Sequence, residues 1–224
     1  MSVLVREEPL FKTLLNSPRL FLYQAQIEKI FTTEQEERAK FYDWMTEDTR
    51  AEFINGEIVM HSPAKDRHTK SSVNLSALLS TFVDLHDLGE VRVETVLVSL
   101  TRNDYLPDIC FFGTAKASQI EPNQMRYPAP NLIVEILSPS TEATDRGIKF
   151  DDYAAHGVEE YWLVDPENRI VEQYRLESGQ YELYFQGTEG DIASIVVTNF
   201  TMPIEAIFDK RAKNRVLGSF FNSV

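Results

Sequence analysis

The chain has 224 residues, with 35 acidic against 22 basic side chains, a formal charge of -13, and 43% apolar and 25% charged composition. That is enough chain to bury a sizeable core without disulfide or metal staples, in one full domain with extensions or in two small ones. A single cysteine, Cys110, excludes an internal disulfide, four scattered histidines lack the spacing of a structural zinc site, and no apolar run approaches the ~20 residues of a membrane span.

Flanked by Ile109 and Phe111, Cys110 reads as part of a buried strand, and the expected compartment is a reducing cytoplasm. The acidity opposes generic nucleic-acid binding, which needs a basic footprint. Carboxylates in a cation site are a different matter, because a bound metal reverses the local field.

In chain order, residues 1–40 read as an N-terminal arm of extended or short helical pieces ending in a helix start. Thr33 and Glu36 have capping-box spacing before a helix over 34–45. Asn55-Gly56 between β-prone runs predicts a two-residue hairpin turn that pairs Ile54 with Glu57, Phe53 with Ile58 and Glu52 with Val59. Alternation then gives one apolar face (Ala51, Phe53, Ile58, Met60) and one mixed face (Glu52, Ile54, Glu57, Val59, His61). Leu75, Leu78, Leu79, Phe82 and Leu85 carry a helix over 66–85, with His68 extending its stripe toward the start.

Strands are expected over 90–100, alternating through Val91, Val93 and Thr95, and again over 107–112. The segment 131–137 is nearly all apolar, as for a strand covered on both sides. A helix over 145–156 closes at Gly157, and strands follow over 160–164, 169–176, 181–185 and 192–197. The order predicts an α+β (α/β) domain around a mixed sheet flanked by helices, over 41–209. Residues 210–224 read as a basic, solvated tail carrying Lys210, Arg211, Lys213 and Arg215.

Glu135 carries the most information. A carboxylate inside a run of Leu, Ile and Val loses several kcal/mol of hydration unless it is paired or binds a metal. The alternatives are a less buried strand or an arginine partner. Asp108, directly after Pro107, is either a turn former or, beside Glu135 on a neighbouring strand, a second oxygen ligand for a hard cation. Lys149 follows on the next helix, where it either reaches back to both carboxylates or forms an exposed i,i+4 pair with Asp145.

The ordered segments 105–108, 134–141, 145–149 and 157–166 (Gly-Val-Glu-Glu-Tyr-Trp-Leu-Val-Asp-Pro), with the opening Glu52 to Met60, Ser62-Pro63 and His68, resemble a large bacterial family of uncharacterised proteins. That family lies within the PD-(D/E)XK nuclease superfamily. The resemblance spans roughly 41–176 and implies a restriction endonuclease-like fold. It also implies metal-dependent hydrolysis of DNA phosphodiesters with Mg²⁺ or Mn²⁺. Asp108 and Glu135 would be metal ligands and Lys149 the active-site lysine.

The superfamily lysine usually stands two residues after the acid. Here that position is Leu137, so Lys149 has to supply the amine from the helix. Glu57 is a further carboxylate candidate or a solvent-facing one, His68 a phosphate or carboxylate contact or a structural histidine, and Tyr153 a packing residue. Two-strand cleavage would favour a homodimer. The rival expectation is a catalytically degenerate interaction module.

Overall fold

The computed structural model describes residues 9–93 and 96–222. The chain opens with helices α1 (Pro9–Leu15) and α2 (Leu20–Trp44), the hairpin β1 (Ala51–Ile54) and β2 (Glu57–Met60), and α3 (Asp66–Leu85). Then come β3 (Gly89–Val93), β4 (Leu97–Ser99), β5 (Asp104–Tyr105), β6 (Ile109–Gly113), α4 (Thr114–Ala117), β7 (Arg126–Tyr127) and β8 (Leu132–Ile136). Helices α5 (Glu142–Asp145) and α6 (Ile148–Ala155) lead to β9 (Glu160–Asp165), β10 (Ile170–Glu177), β11 (Gln180–Gly187), β12 (Asp191–Ala193), β13 (Thr201–Pro203), α7 (Glu205–Phe208) and α8 (Lys210–Phe221).

A six-stranded mixed sheet, β11-β10-β9-β8-β6-β3, forms the centre, with β8 and β9 parallel and joined by the α5–α6 crossover. Both faces are covered, which is why β8 is buried throughout. Leu132, Val134 and Ile136 pack toward Leu75, Leu78, Leu79 and Phe82 of α3, while Ile133 joins Tyr153 and Ala154 of α6 in the opposite core. Period-two alternation therefore puts Glu135 on the α6 face. A second sheet, β2-β1-β5-β4-β7, leaves β2 at an edge.

The hairpin has the expected register, with Ile54↔Glu57, Phe53↔Ile58 and Glu52↔Val59, and Asn55 and Gly56 both take positive φ (51° and 88°). Its apolar face is only half covered. Ala51 and Phe53 are buried on the inner strand, whereas Ile58 and Met60 on the edge strand are 47% and 60% exposed. The helix over 66–85 is α3 to the residue.

Several elements differ from the sequence reading. Helix α2 starts at Leu20 rather than after Thr33, because no Pro or Gly interrupts 20–44 and the threonines are absorbed into the helix; Thr32 Oγ1 donates to the Glu28 carbonyl. The expected 145–156 helix is broken into α5 and α6 at Gly147, where a Cβ would lie 2.8 Å from the Ala143 carbonyl oxygen. The strand expected over 192–197 stops at Ala193. Beyond it the chain turns, and Glu160 Oε2 accepts bonds from Ser194 Oγ (2.7 Å), Ile195 N (2.9 Å) and Val196 N (3.0 Å).

The run over 90–100 divides between the two sheets as β3 and β4. Thr95 lies outside the described residues. The basic segment from Lys210 is no solvated tail: it forms α8, which is capped by Asp209 and buries Ala212 and Phe220 in the α3 core while its basic groups stay toward water.

Candidate active site

Antiparallel pairing of Ile109 with Val134 sets Asp108, one residue before β6, opposite Glu135. The Asp108 N–H points to Glu135 Oε2 at 3.4 Å, and Asp108 Oδ2 accepts the Ile136 N–H at 2.7 Å. Helix α6 runs back over this face, and its i,i+4 pair Lys149 and Tyr153 both reach Glu135 Oε1 at 3.1 Å. The lysine thus arrives from the helix, while Leu137, at the superfamily's usual lysine position, is buried in the core.

Lys149 sits among more acids than the sequence indicated. Its Nζ lies 3.0 Å from Glu52 Oε1, 3.1 Å from Glu135 Oε1 and 3.2 Å from Asp145 Oδ1, and it is only 2% exposed. The Asp145 pair is formed, but it is buried and not the exposed i,i+4 bridge that spacing alone allows. Arg92, Arg102 and Arg146 are engaged elsewhere and do not neutralise Glu135. Arg92 pairs with Glu90, Arg102 with Glu34, and Arg146 with Glu142 and Glu172.

Glu52 is the residue that sequence reasoning passed over in favour of Glu57. Both are on the mixed hairpin face, but β1 is flanked by β2 and β5 whereas β2 is an edge, so Glu52 is buried and Glu57 lies exposed at the rim of the cleft. Glu52 Oε1 also accepts the Leu106 N–H at 2.8 Å, and Oε2 lies 3.4 Å from His61 Nε2. His68, in the first turn of α3, stands with Nε2 3.4 Å from Asp108 Oδ2. Tyr153 packs in the core and also donates its hydroxyl to the site.

The electrostatics follow from crowding in a dry setting. Desolvation would strip the Lys149 proton, but Glu135, Glu52 and Asp145 overcome it and hold the ammonium charged well above its ordinary range. Burial works against the Glu52 carboxylate too, yet Lys149, His61 and the Leu106 N–H win and bring it down to about 2. Glu135 goes the other way. Burial, aided by Asp145, Asp108 and Glu52, lifts it well above the usual carboxylate range despite Lys149. Asp145 is raised by burial as well. The cluster therefore carries more carboxylates than its one ammonium can neutralise, so it takes up either a proton or a further cation.

Glu52, Glu57, His61, His68, Asp108, Glu135, Asp145 and Lys149 line one cleft of about 1270 Å³, walled by the hairpin, the start of α3, the end of β8 and residues 138–144, with Tyr153 behind them. Arg50, Lys65 and Arg67 also line it. Its donor set is oxygen-rich, and Mg²⁺ is commonly held by one or two carboxylates with water and phosphate completing the shell. Glu135 Oε1 is taken by Lys149 and Tyr153, and Asp108 Oδ2 by the Ile136 N–H, so Asp108 Oδ1 and Glu135 Oε2, the latter with only the long 3.4 Å approach of the Asp108 N–H, are the least engaged oxygens and would hold such an ion. Among the described residues no three Asp, Glu, His or Cys side chains gather closely enough to cage a metal on their own. The site fits a partly hydrated hard cation and not a closed protein cage.

A mixed sheet flanked by helices, with acids at its strand ends and a lysine from the crossover helix, is a nuclease-type fold. The structure is similar to the crystal structure of a putative nuclease belonging to DUF820 from Anabaena variabilis, with a TM-score of 0.65 at 20% identity, covering 75% of this chain and 94% of that one. Residues 38–205 match the family described as "Uma2: Putative restriction endonuclease", and the chain belongs to that family. Two uncharacterized proteins of Synechocystis sp. are also similar. One is 32% identical over 148 residues (62% of this chain, 68% of the relative), and the other 28% identical over 133 (56% and 72%). No described helix is long and apolar enough to cross a membrane.

Proposed function

We propose that this cleft is the active site of a Mg²⁺-dependent endonuclease that hydrolyses DNA phosphodiester bonds, with Mn²⁺ as a substitute ion. The observation that carries this reading is the placement of Asp108, at the entry to β6, and Glu135, on the adjacent β8, in one cleft, with the Lys149 ammonium 3.1 Å from Glu135. Asp108 and Glu135 would hold the ion, which when bound polarises the phosphoryl group and lowers the pKa of its water.

The chain's own residues do the rest. Lys149 stays protonated, so it serves as a fixed positive charge beside the reacting phosphate and not as a base. Tyr153 fixes the Glu135 carboxylate through its hydroxyl, the Ile136 N–H fixes Asp108, and Glu52 and Asp145 hold the ammonium in place. The basic residues Arg50, Lys65 and Arg67 that line the cleft are outnumbered by its carboxylates, and Arg67 is paired with Glu167 at 2.8 Å, so DNA binding is expected to be weak and strongly salt-dependent.

A second reading, a degenerate binding module, draws on the displacement of the lysine from position 137 and on three carboxylates being engaged with it. Incubating a labelled duplex with Mg²⁺ and resolving it on a denaturing gel separates the two. Cleavage that requires both Asp108 and Glu135 supports the enzyme, and salt-sensitive binding without cleavage supports the module.

A further inference from the structure

The face of α2 that docks on the body carries Glu34, Arg38, Phe41 and Tyr42. Arg102 binds Glu34 through Nε (2.7 Å) and Nη2 (2.5 Å), Arg38 Nε meets Asp104 at 2.6 Å, the Tyr42 hydroxyl meets Asp104 at 2.8 Å, and Phe41 is fully buried. Followed toward the N-terminus at helical spacing, the same stripe continues as Phe31 or Ile30, Ile27, Tyr23 and Leu20. There it overhangs. Every residue from Pro18 to Thr33 is exposed, Phe21 at 67% and Ile30 at 50% among them. The helical part of this overhang, from Leu20, is roughly 20 Å long at 1.5 Å per residue.

We propose that this overhanging arm pairs with the arm of a second copy of the chain to form a twofold dimer. The inference stands apart from the nuclease reading. Three observations favour this occupant.

The first is area. The exposed parts of Leu20, Tyr23, Ile27, Ile30 and Phe31 on the stripe amount to roughly 400 Å² per copy, and Phe21, Leu22 and the α1 residues Phe11 and Leu15 bring the arm to roughly 800 Å². The stripe alone thus supplies about half, and the enclosed arm about all, of what each partner contributes to a standard stable interface.

The second is distribution. Leu20, Phe21, Leu22 and Tyr23 are consecutive and cover the whole circumference of the helix. Such a turn suits burial between helices, whereas a helix lying on a lipid surface keeps one face strongly polar.

The third is self-complementarity. About a twofold axis at Ile27, antiparallel arms set Ile27 against its mate and Tyr23 opposite Phe31, while Glu28 faces Gln26 and Lys29 faces Ala25, so no like charges oppose. The arm from Pro9 to Thr33 carries Lys12, Arg19 and Lys29 against Glu28 alone in a chain of net charge -13, so two copies repel least where their arms meet.

The test is sedimentation of the full chain at micromolar concentration, comparing wild type with the double variant Phe21→Glu/Ile27→Glu. A wild-type dimer whose dissociation constant rises at least 100-fold in the variant, with an unchanged circular dichroism melting curve, supports the arm pair. A single Ile27→Cys substitution provides a check independent of stability. It is expected to give an intermolecular disulfide on mild oxidation, while Glu36→Cys on the opposite face is not. A monomeric wild type overturns the proposal, whether or not it floats with anionic vesicles, and so does a dimer that the double variant leaves intact.

Discussion

Replacing Lys149 by Met probes the buried cluster most severely. The ammonium is the counter-ion of Glu52, Glu135 and Asp145, all within 3.2 Å and nearly sealed from water. Removing one partner of a buried ion pair costs about 3–5 kcal/mol, because the remaining charge keeps its desolvation penalty. Met preserves most of the volume, so the loss is electrostatic.

At about 2–4 °C per kcal/mol for a chain of this size, the melting temperature at pH 8 should fall by roughly 6–20 °C. Part of that loss should be recoverable by acid. Without the ammonium, burial holds the folded pKa values of these carboxyls above their unfolded values, so their penalty is present at high pH and fades as they take up protons on descent toward pH 5. Scanning calorimetry from pH 5 to 8 measures both effects. A variant within 1 kcal/mol of wild type at pH 8, or one whose deficit does not shrink with acid, would refute the picture of a single cation balancing three buried acids.

Glu52 has the opposite pH behaviour. Its folded pKa is depressed from 4.5 to about 2, so the stability it contributes is present above the unfolded pKa and is lost as pH falls from about 4.5 through 2. The span corresponds to at most about 3 kcal/mol. Glu52→Gln should flatten the acid limb of the stability curve, and an unchanged acid limb in urea titrations would contradict the assignment. Arg38→Ala should cost about 2 kcal/mol by removing a charge-assisted hydrogen bond to the fully buried Asp104, with faster amide exchange in α2 than in α3; equal exchange would show that the helix is held by other contacts. Tyr153→Phe should lower the cleavage rate about tenfold with little loss of stability, since it removes one hydrogen bond to Glu135. A rate equal to wild type would remove Tyr153 from the positioning role.

Elements with a strong local signal were legible from sequence. Asn55-Gly56 set the hairpin register, the leucine stripe set α3, and the carboxylate within 131–137 pointed to a site. What sequence alone could not settle lay in tertiary arrangement. Whether Glu52 or Glu57 enters the site depends on which hairpin strand is internal, and that is decided by β5, a two-residue strand without a periodic pattern of its own. Asp145 and Lys149 were visible as a pair, but their burial depends on the break at Gly147 and on Glu52 arriving from the other sheet. The start of α2 at Leu20 is not marked by the capping pattern at Thr33, which has no force inside a longer run of helix formers. The segment from Lys210 does carry an apolar stripe at helical spacing, Ala212, Val216, Leu217 and Phe220, but the interleaved Lys210, Arg211, Lys213 and Arg215 mask it in a reading by composition.

Asp108 and Glu135 are proposed to hold a divalent ion that supports phosphodiester hydrolysis. The most direct test of this role is the initial rate of conversion of supercoiled plasmid to nicked and linear forms, with Mg²⁺ and with chelator, for wild type, Asp108→Ala and Glu135→Ala. Wild type is expected to convert the plasmid with Mg²⁺ and not with chelator, and either folded variant to lose at least 100-fold in rate. Metal-independent conversion, or variants that cleave like wild type, would contradict that role.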